Sequence, residues 1–478
     1  MFILPLTLFS LTVTIGRTAD YPLSYCSSSD GTYKLTPFDK PTPGNTTPAG
    51  ASTWSLTVDD TPSGRKQKVL GFGACVTDST VTVFNLLSES KLAELLRTLF
   101  TRAGAGFNLM RHTIGCSDLS GDPAYTYDDN GGSADVNLTG FNLGDRGNAM
   151  VTMLKRMRDV NPKIKILGSP WSPPGWMKLN RKLWGTTKNN NLDHAYVDPY
   201  AQYFVKYLEA YRDGGVSIDA ITIQNEPHNS RNGMPTMYIY ADESGRLIKE
   251  KVGPALKAAG FRTQVWAWDH NTDVPDYPQK VLDTAPSFVK TVAWHCYARN
   301  NDWATLSRFH ERNPNVTQIM SECWTSPKTG WAHAADFTMG PLQNWGGGAI
   351  AWALGTDPEY GPHLSYPDGP CTSCRGLVVV DASDGTYQLT TDYYMMAQFS
   401  RFIPRGATVL RGSGSWTYAD GTGIQSVATS NPDGSKTVVI ETRFKKSFQQ
   451  RPINKHKILV YDVFEARVLL WNFSLGNY

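Results

Sequence analysis

The feature that most constrains this chain is an alternation. From about residue 66, eight short runs of apolar and β-branched residues lie at 67–76, 107–114, 164–171, 219–226, 263–269, 289–297, 317–323 and 347–354. Longer stretches with helical spacing separate them. Several runs are apolar almost throughout, as parallel strands covered on both faces must be. Ser88 stands before Leu92, Leu95, Leu96, Leu99 and Phe100, a helix cap followed by one apolar face. Residues 199–211 and 238–259 repeat the helical pattern. Eight strands alternating with helices over roughly 330 residues predict a (β/α)8 TIM barrel. A doubly wound sheet is the alternative, but no Gly-rich phosphate-binding turn follows any of the runs.

The two ends of the chain read differently. Met1 to Gly16 is apolar and uncharged, shorter than the roughly 20 apolar residues a membrane span needs. Residues 1–19 are therefore expected to be a signal peptide. Asn45, Asn137, Asn315 and Asn472 stand in Asn-x-Ser/Thr acceptors, which fit a secretory route and an extracellular location. Residues 20–65 are rich in Ser, Thr, Pro and Gly with short strand-like pieces. Beyond about 400 helical periodicity stops, and strand-like runs are separated by Asp-Gly turns. The expected division is a barrel over 66–400 and a small β-sandwich over 401–478, joined by strands from 20–65.

Net charge is +3 and no long Lys/Arg run occurs, which argues against a nucleic-acid surface. Fourteen Trp and 22 Tyr, by contrast, offer many faces on which the C–H surface of a sugar can stack. Seven cysteines in an oxidising compartment should mostly pair. Cys371 and Cys374 read as a local disulfide, because no second Cys/His pair follows at zinc-finger spacing. Cys296 with Cys323, and Cys75 with Cys116, lie at the ends of consecutive strands and are each expected to bridge them. Cys26 is then left over.

Two glutamates carry the chemistry. Ala220-Ile221-Thr222-Ile223-Gln224-Asn225-Glu226 and Thr317-Gln318-Ile319-Met320-Ser321-Glu322 each run out of an apolar strand into a carboxylate. The C-terminal strand ends of a barrel form its active-site mouth, and the fourth and seventh strands face each other across it. Paired carboxylates there point to glycosidase chemistry, one protonating the leaving oxygen while the other attacks or activates water. An ionised nucleophile calls for a nearby cation, and Arg111 ends the second strand. The Asn225 amide can bond a sugar hydroxyl, and Trp171 and Trp352, ending strands three and eight, can stack on a ring. His295 either tunes the nucleophile or is a core histidine. Asp78 either binds a hydroxyl or caps the helix that follows. Two-carboxylate chemistry requires no metal or organic cofactor, and none is expected.

Gly71-Phe72-Gly73-Ala74-Cys75-Val76-Thr77-Asp78, Ser169-Pro170-Trp171-Ser172-Pro173-Pro174-Gly175-Trp176-Met177-Lys178, Gln224-Asn225-Glu226-Pro227 and Ser321-Glu322-Cys323-Trp324 resemble glycoside hydrolase family 30. The resemblance runs from about residue 66 to 440. With Met110-Arg111-His112-Thr113-Ile114-Gly115 and Ala293-Trp294-His295-Cys296-Tyr297, the chain looks most like the fungal secreted endo-β-1,6-glucanases. It implies retaining hydrolysis, with Glu226 as acid/base and Glu322 as nucleophile. The subsite residues it implies are Arg111, Asp118, Trp171, Asn225, Tyr297 and Trp352. The implied substrate is a β-glucan polysaccharide or, as in other relatives, glucosylceramide, acted on by a monomer not inserted in membrane. From about Arg443 the tail departs from the family's final strands, although 458–463 and 468–471 retain strand-like composition.

Overall fold

The computed structural model describes residues 23–38, 53–186, 189–413, 416–417, 423–445, 454–463 and 468–474. The expected signal peptide and Asn45 fall outside them. The eight apolar runs become a closed parallel barrel. In order its strands are Gly71–Val76, Leu109–Ile114, Lys165–Pro170, Ala220–Thr222, Gln264–Asn271, Val289–His295, Thr317–Trp324 and Gly346–Trp352. Seven of them each contribute one residue to an apolar plug, Leu109, Leu167, Ala220, Trp266, Ala293, Ile319 and Ile350, which fills the ring from inside. That plug closes the lower barrel, so the polar chemistry collects at the other end.

The outer helices follow their patterns. Ser88 accepts the Lys91 N–H and starts the helix Glu89–Phe100, whose five apolar residues are all buried. Val197–Asp213 buries Tyr200, Tyr203, Tyr207 and Tyr211 on one face. The stretch read as one helix over 238–259 is divided into Ala241–Leu247, a wider π turn Ile248–Val252, and Gly253–Ala258. Pro254 explains the break, because it has no N–H to donate to the preceding turn.

Both ends of the chain enter one ten-stranded side sheet. Leu23–Ser28 pairs with Asn454–Val463, and Thr53–Asp59 lies between Thr408–Ser413 and Val468–Ser474. Gln398 donates to Ser27 Oγ at 2.6 Å, and Arg405 donates to the carbonyls of Leu70 and Lys163 at 2.7 and 2.6 Å. These bonds fix the sheet against the barrel floor. Among the described residues no helix is long and apolar enough to cross a membrane.

Disulfides join Cys296 to Cys323, across the ends of strands six and seven, and Cys371 to Cys374. The expected Cys75–Cys116 bridge is not formed, and both remain thiols. The strand register explains why. Cys75 stands opposite Arg111, so Cys116 lies five positions farther along the neighbouring chain. There its sulfur accepts the Tyr125 N–H instead.

Closure of the ring depends on glycine. Gly348 pairs with Gly71 where strand eight meets strand one, at φ +140°, and a β-carbon there would lie 1.8 Å from the Gly71 carbonyl oxygen. Gly348→Ala should therefore destabilise the fold by about 3 kcal/mol. A urea unfolding curve superimposable on that of the unaltered chain would refute this reading of the seam.

Candidate active site

The fourth strand is short. After Thr222 the backbone leaves the ladder, yet Asn225 N–H donates to the Pro170 carbonyl and Glu226 N–H to that of Asp269. Glu226 is thereby pinned between strands three and five at φ +48°, a left-handed conformation that non-glycine residues adopt chiefly under constraint. Strand five is displaced too. Its register with strand six steps from Trp268 opposite Ala293 to His270 opposite Trp294, so Asp269 is bulged out of the pairing. A second step, from Met320 to Glu322, leaves Ser321 unpaired on strand seven. Bulges re-aim side chains, and here they turn Asp269 and Ser321 toward each other, Ser321 Oγ donating to Asp269 Oδ1 at 2.7 Å.

Glu226 and Glu322 face each other across the mouth, each with a carboxylate oxygen within 4.8 Å of one on the other. Retaining glycosidases hold their carboxyls about 5–5.5 Å apart. Glu322 Oε2 accepts Arg111 Nη1 at 2.5 Å, and its Oε1 accepts the Tyr297 hydroxyl at 2.9 Å. Asn229 donates to Glu226 Oε2 at 2.5 Å. His295 Nδ1 lies 3.3 Å from Glu226 Oε1 and 3.7 Å from Glu322 Oε1. Beneath them Asp269 accepts from Arg111 at 2.8 Å, Ser169 at 2.6 Å and Thr222 at 2.9 Å, and lies 2.9 Å from His295 Nε2.

Of the expected site residues, Asp118, Trp171, Asn225, Glu226, Tyr297, Glu322 and Trp352 line a cleft of about 450 Å³. Arg111 and His295 lie directly below it, wholly buried. Asn225 Oδ1 accepts Arg111 Nη2 at 2.6 Å, and Asp118 Oδ2 accepts the Cys371 N–H at 3.1 Å. Trp171 and Trp352 stack on each other with centroids 5.1 Å apart, and the Arg111 guanidinium covers Trp171 at 4.8 Å. Asp78 is the exception. It does not line the cleft; it accepts the Tyr125 hydroxyl at 3.1 Å and lies 3.6 Å from Arg146. Thr77, one residue earlier, caps the helix that follows. Asp269, His270 and Asn229 were missed. Trp266-Ala267-Trp268-Asp269-His270 ends strand five in polar residues, the same signal that exposes Glu226 and Glu322.

The electrostatics follow from burial and this contact set. Burial pushes Glu322 up to about 7, against the pull of His295 and Arg111. Burial acts the same way on Glu226, but the His295 hydrogen bond and the His270 and His295 charges prevail and hold it at about 2. His295 loses basicity to burial yet is lifted to about 9 by Glu322 and Asp269, while burial keeps His270 low, at about 4. Asp269 stays ionised, since Arg111 and His295 outweigh its burial. Below about pH 7 the cluster thus holds two cations, Arg111 and His295, against Asp269 and one ionised glutamate, with a single proton shared by the glutamate pair.

Residues 69–403 match the glycosyl hydrolase family 30 TIM-barrel domain. Over 437 residues the chain is 60% identical to an endo-1,6-beta-D-glucanase of Neurospora crassa, covering 91% of each. It is 59% identical to the endo-1,6-beta-D-glucanase neg1 of Aspergillus fumigatus, covering 92% of each. Among solved structures, the endo-beta1,6-glucanase BT3312 superposes with a TM-score of 0.77 at 27% identity, over 93% of this chain and 99% of that one.

One proton shared by the pair fixes the pH response. kcat/KM should be level on the acid side and fall as pH rises through about 7, where that proton leaves. Activity undiminished to pH 9 would contradict the charge count. Asp269→Asn should lower kcat about 100-fold with little change in KM, because Arg111 and His295 lose their common anchor. It should also bring His295, followed by NMR, below about 9. A variant with unaltered kcat and an unaltered His295 titration would remove Asp269 from the machinery.

Proposed function

The chain belongs to glycosyl hydrolase family 30, and from that premise we propose that it is a secreted endo-hydrolase of β-1,6-glucan working by double displacement with Glu226 and Glu322. The carrying observation is the pair of carboxyls within 4.8 Å, one of them ion-paired to a buried arginine. Glu322, with Arg111 and Tyr297 donating to it, is the nucleophile. Glu226, beside the polar groups of Asn229 and His270, is the acid/base. The linkage rests on the two relatives near 60% identity over nine-tenths of the chain. Secretion rests on the apolar, uncharged stretch Met1 to Gly16. The same reading divides the chain into a leader over 1–19, a barrel over 66–400, and a side domain of 401–478 with strands from 20–65.

In the first displacement a Glu322 oxygen attacks the anomeric carbon as the bond to the leaving oxygen breaks. Glu226 gives its proton to that oxygen, and a glycosyl ester forms on Glu322. Glu226, now a base, then takes a proton from water as that water displaces Glu322. Attack requires the shared proton on Glu226, whereas burial raises Glu322 and the contacts of His295 and His270 lower Glu226 in the cluster. His295 Nδ1, within 3.7 Å of both, can pass its proton to Glu226 and then accept the one on Glu322. A sugar covering Glu226 favours this transfer, because desolvation raises a carboxyl. Arg111 receives the charge that then develops on Glu322. Trp171, Trp352 and Trp324 line the cleft as stacking surface, and Asn225 lies beside the reacting centre.

Glucosylceramide is the second candidate substrate, and the rim argues against it. Beside the glutamates stand Asp118, Asn229 and Arg231, groups that sugar hydroxyls satisfy and a sphingoid chain does not. Purified protein incubated with β-1,6-glucan, β-1,3-glucan and glucosylceramide in parallel should yield gentio-oligosaccharides from the first alone. Ceramide release with the glucan untouched would overturn the substrate while leaving the glutamate roles standing. Glu322→Gln should abolish glycosyl-enzyme formation, read by mass spectrometry. Glu226→Gln should cost at least 100-fold with poor leaving groups and far less with activated aryl glycosides. Full turnover by either variant would remove that residue from its role.

A further inference from the structure

Outside the cleft, the loop following the second barrel strand carries Asp128-Asp129-Asn130-Gly131-Gly132-Ser133-Ala134-Asp135. Asp129 is satisfied, accepting the Thr126 N–H at 2.9 Å and the Thr126 hydroxyl at 2.7 Å. Asp135 accepts the Gly140 N–H at 2.6 Å and the Thr139 hydroxyl at 3.1 Å. Asp128 differs from both. It is 1% exposed, and neither of its carboxylate oxygens has a hydrogen-bond partner. A buried carboxylate without a donor or counter-ion is strongly unfavourable.

Its aim is defined by Gly140. The point that a β-carbon on Gly140 would occupy lies 3.2 Å from Asp128 Oδ1, 3.3 Å from Asp135 Oδ2 and 3.5 Å from Asn130 Oδ1. Three side-chain oxygens, two of them anionic, therefore lie within 3.5 Å of one point that the absence of a side chain keeps open. All the donors are hard oxygens, and Ca²⁺ takes six to eight such ligands at about 2.3–2.6 Å. Lys206, on the helix Val197–Asp213, acts on Asp128 through its charge but makes no hydrogen bond to it.

We propose that Asp128, Asn130 and Asp135 form a divalent-cation site of Ca²⁺ chemistry, with water completing the coordination. The site is structural, remote from bond cleavage. Trp176 Nε1 donates to the Asp128 carbonyl at 2.8 Å, and Trp176 belongs to the Trp171–Lys178 segment that begins with the cleft residue Trp171. A cation here ties the acidic loop to that wall of the cleft.

The test is calorimetry on the full chain after EDTA treatment and dialysis. Titration with CaCl2 should show one site, and the melting temperature should climb with CaCl2 as a ligand bound only by the folded state requires. Gly140→Ala puts a methyl group where the three oxygens converge. Gly140 has no left-handed φ, so alanine is compatible with its backbone. This variant should weaken Ca²⁺ binding at least tenfold. Asn130→Gly removes one oxygen at a position of φ +42° that glycine accepts readily, and should weaken binding less. No heat and no calcium-dependent melting shift in the unaltered protein would overturn the proposal. So would a shift of equal size in both variants.

Discussion

The structure depends on one buried guanidinium. Arg111 is wholly buried, and its two terminal nitrogens reach Glu322, Asn225 and Asp269 at 2.5, 2.6 and 2.8 Å while its plane covers Trp171. Planar, permanently charged and forked, arginine alone can serve two carboxylates, an amide and an aromatic face together. Burying such a charge is costly unless every partner is in place. Arg111 stands on strand two, and its partners come from strands five and seven, from just beyond strand four and, for Trp171, from just beyond strand three. The barrel mouth is therefore held as a single polar unit above an apolar plug, and displacing any one strand end would strand a charge.

Holding these groups together deforms the backbone. Regular parallel pairing would keep a strict alternation of side chains between the two faces along these strands; the two register steps and the positive φ of Trp268, Asp269 and Glu226 break it and bring Asp269 and Ser321 toward each other. Such conformations persist only where the surroundings over-determine them. Here the Glu226 N–H bond to the Asp269 carbonyl and the five polar groups around the Asp269 carboxylate supply that constraint. The strain and the buried charge thus support each other: each is tolerable because the other is present.

The barrel was legible in sequence because a strand covered on both faces must be apolar along its length, and eight such runs stand out. The glutamates were legible because each interrupts a run where the strand ends. Asp269 was not, although it sits in the same position on strand five, because Trp266-Ala267-Trp268 draws the eye as core and one aspartate after it looks like a strand end. The Cys75–Cys116 pairing failed because ends of neighbouring strands are not neighbouring residues; register decides, and it sets Cys75 opposite Arg111. Asp78 lies outside the cleft because a carboxylate beside a helix start serves its own neighbours, here Tyr125 and Arg146, as readily as a ligand. The acidic loop passed unnoticed because its meaning lies in one carboxylate without a partner, a property of packing and not of composition.

The charge inventory joins these observations to chemistry. Two cations and three carboxylates in one buried cluster cannot all be ionised without leaving a net charge in a low-dielectric interior. The cluster therefore retains a proton, and a retaining hydrolase requires one ionised and one protonated carboxyl facing each other. Asp269 is decisive in that count. Without it the two glutamates would balance Arg111 and His295 by themselves, and neither would be left protonated to act as an acid. A residue outside the cleft lining thus sets the protonation state of the two carboxyls that line it.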